Sequence, residues 1–279
     1  MLFTVNGATA YAYIGTGTPA PDRPAIVFIH GALNDHAVWT AQARRFAAQG
    51  HRVLAVDLPG HGRSAGPALA TVEQMAAWLL DLLDAAGVQR AALAGHSMGS
   101  LIALEAAFQA PARVLGLALL GSTWPMKVSD ALLETARTDE AAAIDMVTLW
   151  SHAGIAPAAP GTPPGFWVPG AARRLMQRLS QLNPAQLFHT DFVACNTYAN
   201  GGNAAAAVAA AAVAAAAIAC PTLFVQGRRD VMTPPRSAQA LVAAIPHARV
   251  ASIDCGHSLM TERPDDVCAA LQEFVRRLN

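Results

Sequence analysis

Apolar and polar positions along the chain set up one rhythm, lose it near the middle and then recover it. Residues 2–13 alternate about Asn6-Gly7, the dipeptide a two-residue type I′ turn prefers, and predict a hairpin at a sheet edge. Residues 15–24 are loop, and Ala25–Ile29 is a continuous apolar run, as expected of a central strand covered on both faces. It ends at His30-Gly31-Ala32-Leu33. Residues 39–49 read as a helix stopped by Gly50, and residues 52–56 as the next strand, running into Asp57-Leu-Pro-Gly-His-Gly-Arg-Ser64. A helix over 71–86 with Gly87 as its stop precedes a strand at 90–94 that only its context supports, because its alanines would equally suit a helix. Met98–Gln109 is apolar nearly all round, as a helix packed on a sheet should be, and Val114–Leu120 is another buried strand. Strands alternating with helices, without hairpin signals between them, predict an α/β fold with a mostly parallel sheet and helices on both faces.

From residue 122 to about 202 the rhythm breaks. Helical pieces around 130–151 and 171–181 flank a proline-rich loop at 156–165, which reads as an inserted helical cap. Trp124, Trp150 and Trp167 fall here with Phe166, Phe188, Phe192 and Tyr198. They could roof an apolar pocket, or equally hold a small helical unit together. Residues 204–219, nearly all alanine, read as a close-packed helix, after which the rhythm returns. A strand at 221–226, a loop carrying Asp230, a helix to 244, a last strand Arg249–Ile253, a loop carrying His257 and a helix from Pro264 complete the pattern. The expected organisation is a core of residues 1–121 and 203–279 with a cap of residues 122–202.

Composition narrows the function. With 53% hydrophobic and 14% charged residues in 279, the chain can bury a large core. Its formal net charge is +0 and its basic residues are scattered, so neither nucleic acid nor an anionic membrane is implied as partner. The first residues lack a basic and apolar leader and no apolar run suits a spanning helix, so a soluble, cytoplasmic protein is expected. Cys195, Cys220, Cys255 and Cys268 sit in apolar runs without a C-x-x-C pair, which favours buried thiols over structural zinc. No metal-binding motif, paired-carboxylate site or phosphate loop is present, so no cofactor is expected. The exposed face of the cap could serve a second copy of the chain or a substrate entrance.

The chemistry centres on Gly95-His-Ser97-Met-Gly99, at a strand-to-helix junction. A serine on so sharp a turn needs small neighbours two residues to either side, so that main chain can crowd close. The pattern alone arises by chance in roughly one chain in ten of this length, so the surrounding elements must carry the argument. Strand ends of a parallel sheet share one edge, which lets the loops bearing Ala32, Ser97, Asp230 and His257 converge. A serine hydroxyl needs an imidazole to take its proton, and His257 is the candidate base. An imidazole needs a carboxylate to fix its tautomer, and Asp230 lies at the preceding strand's end. Asp57 is the rival carboxylate, Asp254 lies close enough to His257 to shape its turn, and His30, His61 and His96 are expected to hold loops.

The order serine, aspartate, histidine, with Gly95-His-Ser-Met-Gly99, His30-Gly31, Asp57-Leu-Pro-Gly-His-Gly-Arg-Ser64 and Gly256-His257, resembles the α/β-hydrolase superfamily, in its esterase, enol-lactonase and cofactor-free haloperoxidase-like branch. The resemblance covers nearly the whole chain outside the predicted cap. It implies Ser97 as nucleophile, Asp230 as acid, His257 as base, and the backbone N–H groups of Met98 and Ala32 as an oxyanion hole, with Leu33 a less favoured donor. Leu33, Trp124, Trp150, Trp167 and Phe192 are the candidate pocket residues. The implied activity is hydrolysis of a small ester or lactone. The same three residues would also serve a carbon–carbon bond hydrolase, a thioesterase or a perhydrolase, and a non-catalytic small-molecule receptor is the alternative of a different class. Ser258, where carbon–carbon hydrolases of the superfamily carry an aromatic, argues against that branch. Arg173, Arg174 and Arg178 could receive a substrate carboxylate, although solvent-facing helix charges explain them as well.

Overall fold

A computed structural model of the chain describes residues 1–154, 167–183, 186–199, 221–245 and 248–278. The proline-rich loop, the alanine-rich helix, Phe166 and Cys220 lie outside the described residues.

The chain opens with β1 (Leu2–Val5) and β2 (Ala8–Tyr13), an antiparallel pair joined at Asn6 and Gly7, both with positive φ as a type I′ turn demands. Then follow β3 (Ala25–Ile29), α1 (Thr40–Ala48), β4 (Val53–Val56), α2 (Val72–Ala85), β5 (Ala91–His96), α3 (Met98–Gln109) and β6 (Val114–Leu120). Thr71 caps α2 by accepting from Gln74 N, satisfying one of the donors a helix start leaves open. After four helices, α4 (Asp130–Thr138), α5 (Glu140–Trp150), α6 (Val168–Leu182) and α7 (Leu187–Thr197), the sheet resumes with β7 (Thr222–Gly227). The short α8 (Gln239–Ala244), β8 (Arg249–Ile253), α9 (Leu259–Glu262) and α10 (Pro264–Val275) complete the described strands and α-helices. Residues 130–151 are two helices, broken at Asp139, whose carboxylate caps the second by accepting from Ala142 N. Helix α7 was not expected as a separate element.

The eight strands form one sheet in the order β1-β2-β4-β3-β5-β6-β7-β8. Pairing is parallel from β4 through β8, and β2 joins β4 antiparallel. Side chains alternate across the sheet with period two. Val27, Ile29, Leu93, Leu117 and Leu119 face a cluster completed by α2 and α3, whereas Ile26, Phe28, Ala92, Ala94 and Leu120 face α1 and α10. This two-sided burial is why the central strands read as unbroken apolar runs. Helices α4 to α7 pack on one another through a third cluster, which also takes in Leu33 at the end of β3.

Strand β5 is the element local propensity would not choose. Its alanines leave room for helices on both faces, and its last glycine is obligatory: a Cβ on Gly95 would lie 2.0 Å from the Gly99 carbonyl oxygen. Cys195, Cys255 and Cys268 are buried free thiols, and burial pushes the last two up to about 12 and about 11, which leaves them protonated and unreactive at neutral pH. Among the described residues no helix is long and apolar enough to cross a membrane.

Candidate active site

The turn from β5 into α3 places Ser97 at φ 53° and ψ −120°, a backbone conformation that costs a non-glycine residue about 1–3 kcal/mol. The close approach that holds it there is measurable. A Cβ on Gly99 would lie 2.4 Å from Ile29 O and 2.6 Å from His30 O, so α3 starts against the backbone of β3. Ser97 N donates to Leu120 O at 2.9 Å, and Ser100 Oγ donates to Ser97 O at 2.6 Å. The Ser97 side chain makes no capping bond to α3. Its hydroxyl lines a cavity instead.

Asp230 follows β7 and His257 follows β8, on neighbouring parallel strands. His257 Nδ1 donates to Asp230 Oδ2 at 2.8 Å, with Thr233 Oγ1 donating to the same oxygen at 2.7 Å. Asp230 Oδ1 accepts from Met232 N and Thr233 N at 2.9 and 2.8 Å. Burial alone would push the Asp230 carboxyl upward, but the His257 charge, its hydrogen bond and the Thr233 donors outweigh that and hold it well below the usual carboxylate range. Asp230 is therefore an acceptor throughout neutral pH, which keeps the proton on Nδ1 and the lone pair of neutral His257 on Nε2. Among the described contacts no hydrogen bond joins the Ser97 hydroxyl to His257; the two share a cavity wall.

The loop after β3 is oriented by its own histidine. His30 Nε2 accepts from Leu58 N at 3.1 Å, so its proton sits on Nδ1, which donates to Gly31 O at 2.8 Å. Burial, and then the neighbouring His61 charge, lower His30 to about 4, which keeps this neutral tautomer in place. In a trans peptide the N–H points opposite to the C=O. Fixing Gly31 O therefore turns the Ala32 N–H away from His30. His96 is also neutral, lowered to about 3 by burial and by His257, and donates from Nε2 to His257 O at 2.8 Å. Asp57 accepts from His36 N, His36 Nδ1 and Arg63 N at 2.7, 2.8 and 2.9 Å, which pins the loops after β3 and β4. Its atoms and those of Asp35 and His36 lie close enough to hold an ion, but all three side chains are engaged in these bonds or in those of Asp35 to Ala37 N and Arg178. Asp254 pairs with Arg229 at the surface, away from His257 Nδ1.

A cavity of about 360 Å³ is bounded by Ala32, Ser97 and His257 at its floor and by Met126, Leu132, Trp150, Phe192 and Met232 along its walls. A narrower hollow of about 60 Å³ continues from the same floor toward His96 and Ser258. Of the five side chains expected to line the pocket, Trp150 and Phe192 do so. Leu33 does not: it is fully buried among α4 to α7, and its N–H is taken by Asp191. Trp124 packs instead against the cluster under α2 and α3. Trp167 stands at the start of α6, 51% exposed, with its ring over Gly170. Met126 and Met232 lie in loops, where isolated apolar residues carry no periodicity, and the helical pattern around Leu132 on α4 says that it is buried but not against what. Arg173 and Arg178 are absorbed into pairs with Asp145 and Asp35 at 2.5 and 2.6 Å.

A mostly parallel sheet, with a serine on a strained strand-to-helix turn and a buried Asp–His pair at neighbouring strand ends, defines an α/β-hydrolase architecture. A family model described as alpha/beta hydrolase fold matches residues 24–143, and one described as TAP-like protein matches residues 184–277. A Klebsiella pneumoniae (strain 342) protein assigned as carbamate hydrolase RutD is 32% identical over 235 residues, 82% of each chain. The chain belongs to the α/β-hydrolase family. A thermophilic esterase superposes with a TM-score of 0.79 at 20% identity, covering 100% of this chain and 98% of its own. The enol-lactonase from Burkholderia xenovorans LB400 superposes with a TM-score of 0.75 at 22% identity, covering 99% and 100%. With other curated relatives the match is shorter, 107–109 residues at 39% identity, and the chain spans 27–37% of their length.

Proposed function

We propose that this protein hydrolyses a small carboxylic ester or lactone through an acyl-enzyme on Ser97, in a core of residues 1–121 and 203–279 roofed by a cap of residues 122–202. The observation that carries the reading is the buried hydrogen bond from His257 Nδ1 to Asp230, in the wall of the cavity that holds the strained Ser97. In the first half-reaction Ser97 Oγ attacks the substrate carbonyl while His257 Nε2 takes its proton, leaving imidazolium against Asp230. The N–H groups of Ala32 and Met98 receive the developing oxyanion, the latter at the positive end of α3. The tetrahedral species collapses, breaking the bond to the leaving oxygen, which departs with the proton from His257. Water, deprotonated by His257, then attacks the acyl carbon, and the acid leaves as Ser97 Oγ recovers the proton.

A cavity of about 360 Å³, mostly apolar but with Lys127 in its lining, suits a small acyl group. The carbamate hydrolase, esterase and enol-lactonase names of the similar proteins share a carbonyl bonded to a heteroatom leaving group, which supports this substrate class. Ser97→Ala should abolish turnover of p-nitrophenyl acetate with the fold intact, and a fluorophosphonate should label Ser97 stoichiometrically. Unchanged turnover in that variant would sink the acyl-enzyme. A native protein that neither turns over esters nor reacts with fluorophosphonate would point instead to a receptor.

A further inference from the structure

Asp191, on α7, is the one acidic side chain of the inserted helices that is fully enclosed among the described residues, and it reaches back into the loops at the sheet edge. Its Oδ2 accepts from Leu33 N at 2.8 Å and faces His61 Nε2 at 2.9 Å, bridging 158 and 130 residues of sequence. His61 Nδ1 faces Pro59 O at 3.1 Å. Both ring nitrogens of His61 thus face oxygen acceptors, an arrangement that favours the doubly protonated ring. Burial opposes that charge, but Asp191 overrides it and raises the His61 pKa.

The bond to Leu33 matters because of where it acts. Leu33 holds φ 47°, a strained value for a branched side chain, and follows directly on Ala32. The peptide between the two is gripped at both ends, with Asp191 on its N–H and Asn34 Nδ2 on Ala32 O at 2.9 Å. With Gly31 O already held by His30, every main-chain polar group flanking the Ala32 N–H has a partner. Ala32 itself lines the cavity beside Ser97.

We infer that Asp191 is a positioning residue: from the inserted helices it clamps the Ala32–Leu33 peptide and, through it, aims the Ala32 N–H at the oxyanion. This rests on the acyl-transfer reading above, and it makes the inserted helices part of the catalytic geometry as well as a roof. A carboxylate suits the task better than a neutral acceptor, because a charge-assisted hydrogen bond is about twice as strong and the His61 charge fixes its orientation.

The test uses the full-length protein with p-nitrophenyl acetate as substrate and butylboronic acid as a tetrahedral-state analogue. Asp191→Asn keeps the shape and one acceptor but loses the charge. Its kcat should fall about tenfold and Asp191→Ala about a hundredfold, while KM changes by less than about threefold. The boronate should weaken by the same factors as kcat, whereas a purely structural role would lower the thermal midpoint and leave boronate affinity per folded molecule unchanged. If Asp191→Ala does not fold, the Asp191→Asn pair of measurements stands alone. An Asp191→Asn enzyme with wild-type kcat and boronate affinity overturns the inference. Turnover that survives Ser97→Ala would instead overturn the acyl-transfer reading on which it rests.

Discussion

Gly99→Ala adds a single methyl group at the point where the Ser97 turn meets the loop after β3. The new Cβ would lie 2.4 Å from Ile29 O, 2.6 Å from His30 O and 2.8 Å from Ile29 C, all backbone atoms of the strand that leads into Gly31 and Ala32. Ordinary contact begins near 3.4 Å. One side of the junction must therefore retreat by roughly 1 Å, and no rotamer can absorb it. Because Gly99 stands two residues after Ser97 and Ile29 three before Ala32, that shift separates the proposed nucleophile from the proposed oxyanion donor. A displacement of about 1 Å costs on the order of a hundredfold in rate, or about 2.7 kcal/mol of activation free energy. Overpacking should also remove about 1–3 kcal/mol of stability. Gly116→Ala separates the two effects. Its Cβ would meet Leu278 Cδ2 at 2.7 Å and Phe274 Cζ at 2.8 Å, flexible side chains under the start of β6, so stability should fall without loss of kcat. The assay is kcat and KM on p-nitrophenyl acetate per fluorophosphonate-reactive site, with thermal melts of both variants. A folded Gly99→Ala enzyme within about threefold of wild-type kcat would refute the coupling between turn and loop.

Asp230→Asn should lower kcat by about 10³- to 10⁴-fold, because an amide nitrogen facing His257 Nδ1 reverses the tautomer and removes the lone pair from Nε2; steady-state kinetics with an unchanged thermal midpoint checks it. Stability should fall in mild acid. His30 and His96 have folded pKa values of about 4 and about 3 against 6.5 for the free side chain, so the unfolded chain binds their protons first, and His51 and His152 are lowered in the same direction. Their contribution is complete above 6.5 and is lost as pH falls toward 4, on the order of 4 kcal/mol between pH 7 and pH 5 for the first two rings. His61 acts oppositely: with its pKa raised, its contribution is complete below 6.5 and is lost as pH rises through the folded value. Urea melts from pH 5 to 8 should therefore show maximal stability near neutrality, and a midpoint that is flat from pH 7 to pH 5 would contradict the buried neutral rings.

Strands and helices of the sheet were legible because their side chains repeat with the period of the element that buries them. Ala25–Ile29, Met98–Gln109, Val114–Leu120 and Arg249–Ile253 begin and end in the structure where the hydrophobic pattern places them. The convergence of Ser97, Asp230 and His257 was legible for a related reason, since a parallel sheet brings successive strand ends to one edge whatever the length of chain between them. Periodicity says that a side chain is buried, but not against what. Sequence alone therefore does not separate Trp150 and Phe192, which line the cavity, from Leu33 and Trp124, which pack into hydrophobic clusters, and it gives no signal for Met126 or Met232. Strand β5 exists because the flanking helices need its alanines and Gly95, against their own propensity. Asp191 shows the same limit from the polar side. In sequence it is one acid in an apolar stretch, and it acquires meaning only when α7 folds back to set its carboxylate against Leu33 N and His61, contacts separated by more than a hundred residues and selected by the cost of burying an unpaired charge.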